Sequence, residues 1–183
     1  MPYPWEQRKL SETNDVRDGT HDSPKYHSVG HPLVTSKNLS NSGLDMTGVS
    51  LISDEDFEAI NKRSKVDVGD IIFGMIGTIG NPVVLDRDDF AIKNVALIKN
   101  GEVPSSFLIQ LLKSPIFAEY IRNEYAGNTQ KFLGLSKIRD YKYLAPSSDE
   151  QKKIGAFFSQ LDNLITLHQR KVFCKINMPE CNI

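Results

Sequence analysis

Apolar and polar positions follow two different rhythms along this chain. Near its C-terminal end, apolar residues fall at 154, 158, 161, 165 and 172, with His168 in the remaining slot. Steps of four and three form the seam of a coiled coil, and Phe157 and Leu164 widen that stripe. The pattern predicts a helix over 148–173, which would be ~39 Å long at 1.5 Å per residue. Ser148 with Gln151 three residues later has the form of a capping box, and Asp149 and Glu150 suit a first helical turn. A lone helix gains little from propensity, so the oily stripe predicts a partner helix.

Upstream the rhythm shortens. Ser53 followed by Asp54-Glu55-Asp56 predicts a helix start, with Phe57 and Ile60 on its buried side and the basic cluster Lys62-Arg63-Ser64-Lys65 at its end. Val66 to Ile72 alternates, which predicts a strand turning at Gly69-Asp70. A strand–turn–strand meander follows, with Gly74, Gly77 and Gly80 as turn residues and strands over 82–85 and 91–98. After Pro104, Ser105-Ser106 is read as the cap of an apolar helix that Ser114-Pro115 breaks or restarts. Short strands and a few helices without regular βαβ alternation predict an α+β fold. Its expected form is a mixed, largely antiparallel twisted sheet with flanking helices and a long coiled-coil-type C-terminal helix. The expected division is a domain over 1–146, the helix over 147–173 and an irregular tail over 174–183.

Composition changes this picture little. At 183 residues, 39% hydrophobic and 25% charged, the chain has the make-up of an ordinary globular protein with a sizeable core. No apolar run approaches the ~18 residues of a membrane span, and the start MPYPWEQRKLSE lacks a secretory apolar core. Cys174 and Cys181 are too few and too terminal for a disulfide framework, so a cytoplasmic location is expected. The net charge of −1 conceals an asymmetry. Residues 1–60 carry five Lys/Arg against ten Asp/Glu, whereas residues 61–144 carry twelve against nine. The middle of the chain is therefore where an anionic partner is to be sought.

Enzymatic chemistry has little footing. The spacing of Gly74, Gly77 and Gly80 fits neither a dinucleotide fingerprint nor a P-loop. Histidines 21, 27, 31 and 168 have no metal-ligand spacing with either cysteine, and no nucleophile elbow or Cys-His arrangement occurs. Side chains able to read DNA are better represented. Lys37 and Asn38, Arg63 and Lys65, Lys93 and Asn94, and Thr129, Gln130 and Lys131 form clusters of amides, hydroxyls and cations. Asn and Gln can grip adenine through two hydrogen bonds, while Lys and Arg address guanine or phosphate. Thr20-His21-Asp22-Ser23 is a weaker candidate stretch.

The segment YLAPSSDEQKKIGAFFSQLDNLITLHQRK closely resembles the conserved region of type I restriction–modification specificity subunits. The matching residues are Pro146, Glu150, Gln151, Ile154, Phe157, Phe158, Leu161, Asp162, Ile165, Gln169, Arg170 and Lys171. Trp5 to Leu10, Gly69-Asp70-Ile71-Ile72, Asn94-Val95-Ala96 and Gln130-Lys131-Phe132 are also similar to family features, so the resemblance spans residues 3–173.

That resemblance implies a target recognition domain reading one half of a bipartite sequence in double-stranded DNA. It also implies a spacer helix that docks methyltransferase (modification) subunits and, through the complex, a restriction subunit. The chain itself is then non-catalytic and without cofactor, S-adenosylmethionine, ATP and Mg being held by partner subunits. Family members carry two recognition domains where this chain has room for one, and VFCKINMPECNI, with Pro179, departs from the longer family spacer. A half-length subunit is implied, forming a homodimer through Ile154, Phe158, Leu161, Ile165 and Val172. The alternative is an interaction module that binds methyltransferase or other specificity subunits through its helix without productive DNA reading. Lys131→Ala, at a phosphate contact, is expected to weaken binding to all duplexes alike and to flatten its salt dependence. Gln130→Ala is expected to relax preference at one base position by ~1–3 kcal/mol, measured by titration against duplex variants.

Overall fold

The computed structural model describes residues 5–124 and 132–177, with side chains described up to residue 169. In chain order the elements are β1 (Glu6–Lys9), α1 (Leu10–Thr13), β2 (Val16–Asp18), β3 (His31–Thr35), a 3-10 turn (Ser36–Asn38), β4 (Leu39–Ser40), β5 (Gly43–Leu44), β6 (Ser50–Ile52) and α2 (Asp54–Ser64). Then come β7 (Ile71–Gly74), β8 (Gly80–Val84), β9 (Ala91–Lys93), β10 (Val95–Ile98), α3 (Ser105–Lys113), α4 (Pro115–Glu124), α5 (Leu135–Arg139), β11 (Lys142–Ala145) and α6 (Ser148–Asn177). The class is α+β, as the sequence implied.

Two sheets lie between helices. The first has the order β2-β10-β7-β8 and is antiparallel throughout; the second is β6-β3-β9, with β3 and β9 parallel. Side-chain alternation assigns the layers. Ile71 and Phe73 of β7, with Ala96 and Ile98 of β10, join Leu108, Phe117, Ile138 and Tyr141 in a core under α3–α5. Ile72, Val95 and Leu97 point the other way, onto Val34 and Ile92 of the second sheet. That sheet turns Leu33 and Ala91 outward to Phe57 and Ile60 of α2. The result is a helix/sheet/sheet/helix stack in which every residue of β7 and β10 is buried. Strands covered on both faces read as unbroken apolar runs, which is why their period is hard to see. Each fully buried large side chain here contributes about 1.5–3 kcal/mol.

Several local expectations need correction. Ser53 does cap α2, accepting from the Asp56 amide at 3.1 Å. The segment from Val66 is no strand before Ile71, however. Buried Asp70 accepts from the Asp67 amide at 2.8 Å and closes a turn there, leaving Val68 exposed. The predicted strand over 91–98 is broken at Asn94, whose φ of 58° carries the chain from one sheet to the other. Pro104, not a serine, stands at the start of α3, because the Ser105 hydroxyl donates to the carbonyl of Gly69 at 2.5 Å. At α6 the cap is Ser147: its hydroxyl accepts from the Glu150 amide, and Gln151 donates to the Pro146 carbonyl at 2.8 Å instead of completing a box. Residues 174–177, expected to be irregular, are helical.

Helix α6 meets the domain along its first half, from Gln151 to Asp162. Gly155 faces α3, where an added Cβ would collide with the Ser106 hydroxyl and sit 2.9 Å from its carbonyl carbon. Gln151 is buried beside it, and further along Asp162 lies 3.5 Å from the amide of Gln110 on α3. From Ala156 to Gln169 every residue is exposed. Among the described residues no helix is long and apolar enough to cross a membrane.

Lys99 ties the turn before β7 to the end of β10, donating to Asp70 at 2.5 Å and Asp67 at 2.6 Å. Burial pulls the Lys99 ammonium down, but hydrogen bonds and charge from Asp67 and Asp70 outweigh it and leave it raised. The hydrogen bond from Lys99 holds the Asp67 carboxyl below its ordinary value. A raised lysine stabilises below its ordinary value and loses that contribution as pH climbs through the folded one. A lowered aspartate stabilises above its ordinary value and loses it as pH falls through the folded one. Lys99→Met is therefore expected to cost about 2–3 kcal/mol near neutrality, with the difference from wild type narrowing at strongly acid and strongly alkaline pH. Urea melts across pH check this.

Candidate nucleic-acid interface

Because β3 and β9 are parallel and pair Thr35 with Lys93, their C-terminal ends lie together. β7 reaches the same end, since Gly74 pairs with Val95 and the Met75 amide donates to the Asn94 carbonyl. The chain leaving β2 joins them. Gly19 donates to Val95, Thr20 donates to Ile92, and Asn94 donates back to Thr20. Ser36 donates to the Ile76 carbonyl at 2.7 Å, and Leu133 donates to Met75. Five segments far apart in sequence thus meet at one edge: residues 19–23, 35–38, 75–78, 93–94 and 132–133.

Gly74 belongs to this convergence, not to a turn. A Cβ there would strike the carbonyl oxygen of Thr78 and stand 3.0 Å from the Ser36 side chain, so the glycine permits close approach of three segments. Gly77 and Gly80, by contrast, take the positive φ that the turn needs.

The predicted side chains divide on inspection. Lys37 is exposed on the edge and has no ion-pair partner among the described residues. Asn38 is corrected: its carbonyl oxygen accepts from the Thr35 amide at 2.9 Å and its amide donates to the Asp45 carbonyl at 3.2 Å, so both ends serve the turn. Lys93 is only 8% exposed and donates to the Ser23 hydroxyl at 2.7 Å, which removes it from direct contact with a ligand. Arg63 stands on the flank, holding Asp18 at 2.7 Å and the Gly19 carbonyl at 3.2 Å. Lys65 lies at the opposite end of β7 and β10, 3.6 Å from Asp67. The arrangement leaves it out of the edge. Thr129, Gln130 and Lys131 lie outside the described residues, immediately before Phe132, whose ring is exposed on the edge beside Ile76.

Asn94 is tied to His21 by a 2.9 Å hydrogen bond, and the other ring nitrogen of His21 meets Asp18 at 3.0 Å. A continuous chain, Arg63–Asp18–His21–Asn94, therefore braces the edge from α2 across to the β9–β10 junction. Sequence reading gave no part to Asp18, whose signal is spatial because it lies in no amide- or lysine-rich cluster. Among the described residues no group of three or more His, Cys, Asp or Glu is placed to hold a metal ion.

On α6 the helix-partner residues also divide. Ile154 is half-buried against the domain's own core, which corrects its assignment to a partner surface. Phe158, Leu161 and Ile165 are 41%, 36% and 54% exposed, and Phe157 and Leu164 are more exposed than Leu161, so the oily stripe lacks cover along its whole middle. At 100° per residue the direction of Phe158, Leu161 and Ile165 lies only about a fifth of a turn from that of Gln151, Gly155 and Asp162, which face α3. Val172 lies in α6 beyond the described side chains.

Fold and edge together define a loop-edge recognition domain carrying a projecting helix. The chain belongs to the type I restriction modification DNA specificity domain family, whose model matches residues 2–173. It is 25% identical over 177 residues to the putative type I restriction enzyme MjaX specificity subunit of Methanocaldococcus jannaschii, covering 90% of this chain and 41% of that protein. The MjaIX specificity subunit of the same organism is also 25% identical, with 39% of its length covered. Among solved structures, a chain from work on assembly and conformational transition of the type I R-M system superposes with a TM-score of 0.67 at 17% identity, over 93% of this chain and 41% of that one. The HsdS subunit of Thermoanaerobacter tengcongensis gives 0.63 at 16% identity, over 93% and 40%. These likenesses establish the fold, and this chain spans about two-fifths of the relatives' length.

Asn94→Gly is expected to keep the fold, since glycine adopts positive φ without strain. Asn94→Ala is expected to cost about 1–2 kcal/mol in a urea melt, because alanine at that φ meets its own backbone.

Proposed function

We propose that this chain is a DNA-reading specificity subunit, recognising one half of a bipartite double-stranded site through the edge formed by residues 19–23, 35–38, 75–78, 93–94 and 132–133. The observation that carries the reading is that convergence: separate polar loops are braced into one surface where the wholly buried strands β7, β9 and β10 meet the ends of β2 and β3. Membership of the specificity family supports the same reading. Lys37, Asn94 and the segment Thr129–Lys131 are the proposed contacts, while Arg63 acts by holding Asp18 and His21. The domain occupies 1–146 and the spacer helix begins at 147.

Two copies pair through Phe158, Leu161, Ile165 and Val172, which sets two reading edges a fixed distance apart. Methyltransferase subunits dock on the same helical region and a restriction subunit joins through them. The chemistry, with S-adenosylmethionine, ATP and Mg, belongs to those partners. A second reading, an interaction module without DNA contact, is favoured by one observation, the breadth of the exposed stripe, which includes Phe157 and Leu164 beyond a two-helix seam.

Selection from randomised duplexes tests both. Wild type is expected to enrich two inverted half-sites at fixed spacing. The variant with Leu161→Glu and Ile165→Glu is expected to enrich a single unspaced half-site and to sediment as a monomer. Enrichment of no motif by wild type would favour the interaction module.

A further inference from the structure

Lys93 presents an unusual balance of charge. Lys93 as a residue is nine-tenths buried, yet among the described residues no carboxylate lies within ion-pair distance of its ammonium, whose one hydrogen-bond partner is the hydroxyl of Ser23. A buried cation met only by a neutral group is costly unless an anion completes the site. Ser23 itself is exposed. Its oxygen accepts from Lys93, so its own O–H must point elsewhere, and no acceptor for it stands among the described residues. A hydroxyl polarised by a cation behind it is a charge-assisted donor aimed outward.

Ser23 opens onto a cleft of about 620 Å³ between the 20–24 loop and α2, lined also by Thr20, His21, Asp22, Asp56 and Arg63. Arg63 is taken up by Asp18, and Asp56 accepts from Ser53. Asp22 and Asp56 make the cleft unfavourable for a multiply charged free phosphate. They leave room for a single charge held in place by contacts elsewhere, which is the condition of one phosphodiester in a docked duplex.

We propose that Ser23, driven by Lys93 behind it, is the donor to a DNA backbone phosphate at the margin of the reading edge. Lys93 is then a positioning residue that acts through Ser23 without touching DNA. This rests on the DNA reading given above. A phosphate contact fixes the duplex in register and carries no base preference of its own.

The test uses the full chain, a duplex selected by wild type and an unrelated duplex, titrated over a range of NaCl. Ser23→Ala leaves the buried Lys93 without its hydrogen-bond partner, so it is expected to lower the melting temperature and, at temperatures where it stays folded, to weaken binding to both duplexes about tenfold. Lys93→Met is expected to weaken both similarly, and the double variant to bind no worse than the weaker single one, because both act through one bond. Inorganic phosphate at millimolar concentration is expected not to compete. Unchanged binding by Ser23→Ala overturns the inference alone, as do additive losses or a loss confined to one base position. Competition by inorganic phosphate that Ser23→Ala abolishes also overturns it, identifying a free-anion site instead. Failure of wild type to bind any duplex removes the DNA reading and this inference together.

Discussion

Burial of β7 and β10 on both faces is the constraint from which the rest follows. Ile71, Ile72, Phe73, Val95, Ala96, Leu97 and Ile98 are all inaccessible, so neither strand has a side chain to spare for chemistry. Polar function is forced to the strand ends, and the two ends differ. At one, Asp70 and Lys99 close a turn among themselves and with Asp67, leaving an ion-paired knot. At the other, the crossing of two sheets at Asn94 draws five loops together, and His21, Lys37, Thr78 and Phe132 are exposed there.

Much of this was legible in the sequence where one residue type has one local job. Ser53 before three acidic residues, Pro115 restarting a helix and the spaced apolar residues from 154 onward each carry a local signal, and each element stands where it was read. Failures cluster where the fold supplies a side chain's partner, near or far in sequence. Asn38 has the chemistry of a base reader, but its amide is consumed by Thr35 and Asp45. Lys93 looks like a surface cation, yet pairing of β9 with β3 buries it. The early strands β1–β6 went unread, because two- to five-residue strands, one carrying Pro32, offer too short a pattern.

Helix α6 shows how one element serves two surfaces. Small and polar residues, Gln151, Gly155 and Asp162, let it approach α3 closely and Ile154 packs on the domain's core, while Phe157, Phe158, Leu161, Leu164 and Ile165 stay exposed. Held against α3 as far as Asp162 and exposed on its other side, it is a rod fixed at one end. A 30-residue helix is about 45 Å long.

Amide hydrogen exchange, with and without a selected duplex, tests the central claim most directly. DNA is expected to slow exchange at residues 19–23, 35–38 and 75–78 while leaving 67–69 and 99–101 unaltered. Protection appearing at the Asp67–Lys99 end instead, with the loops around Asn94 unchanged, would contradict the account.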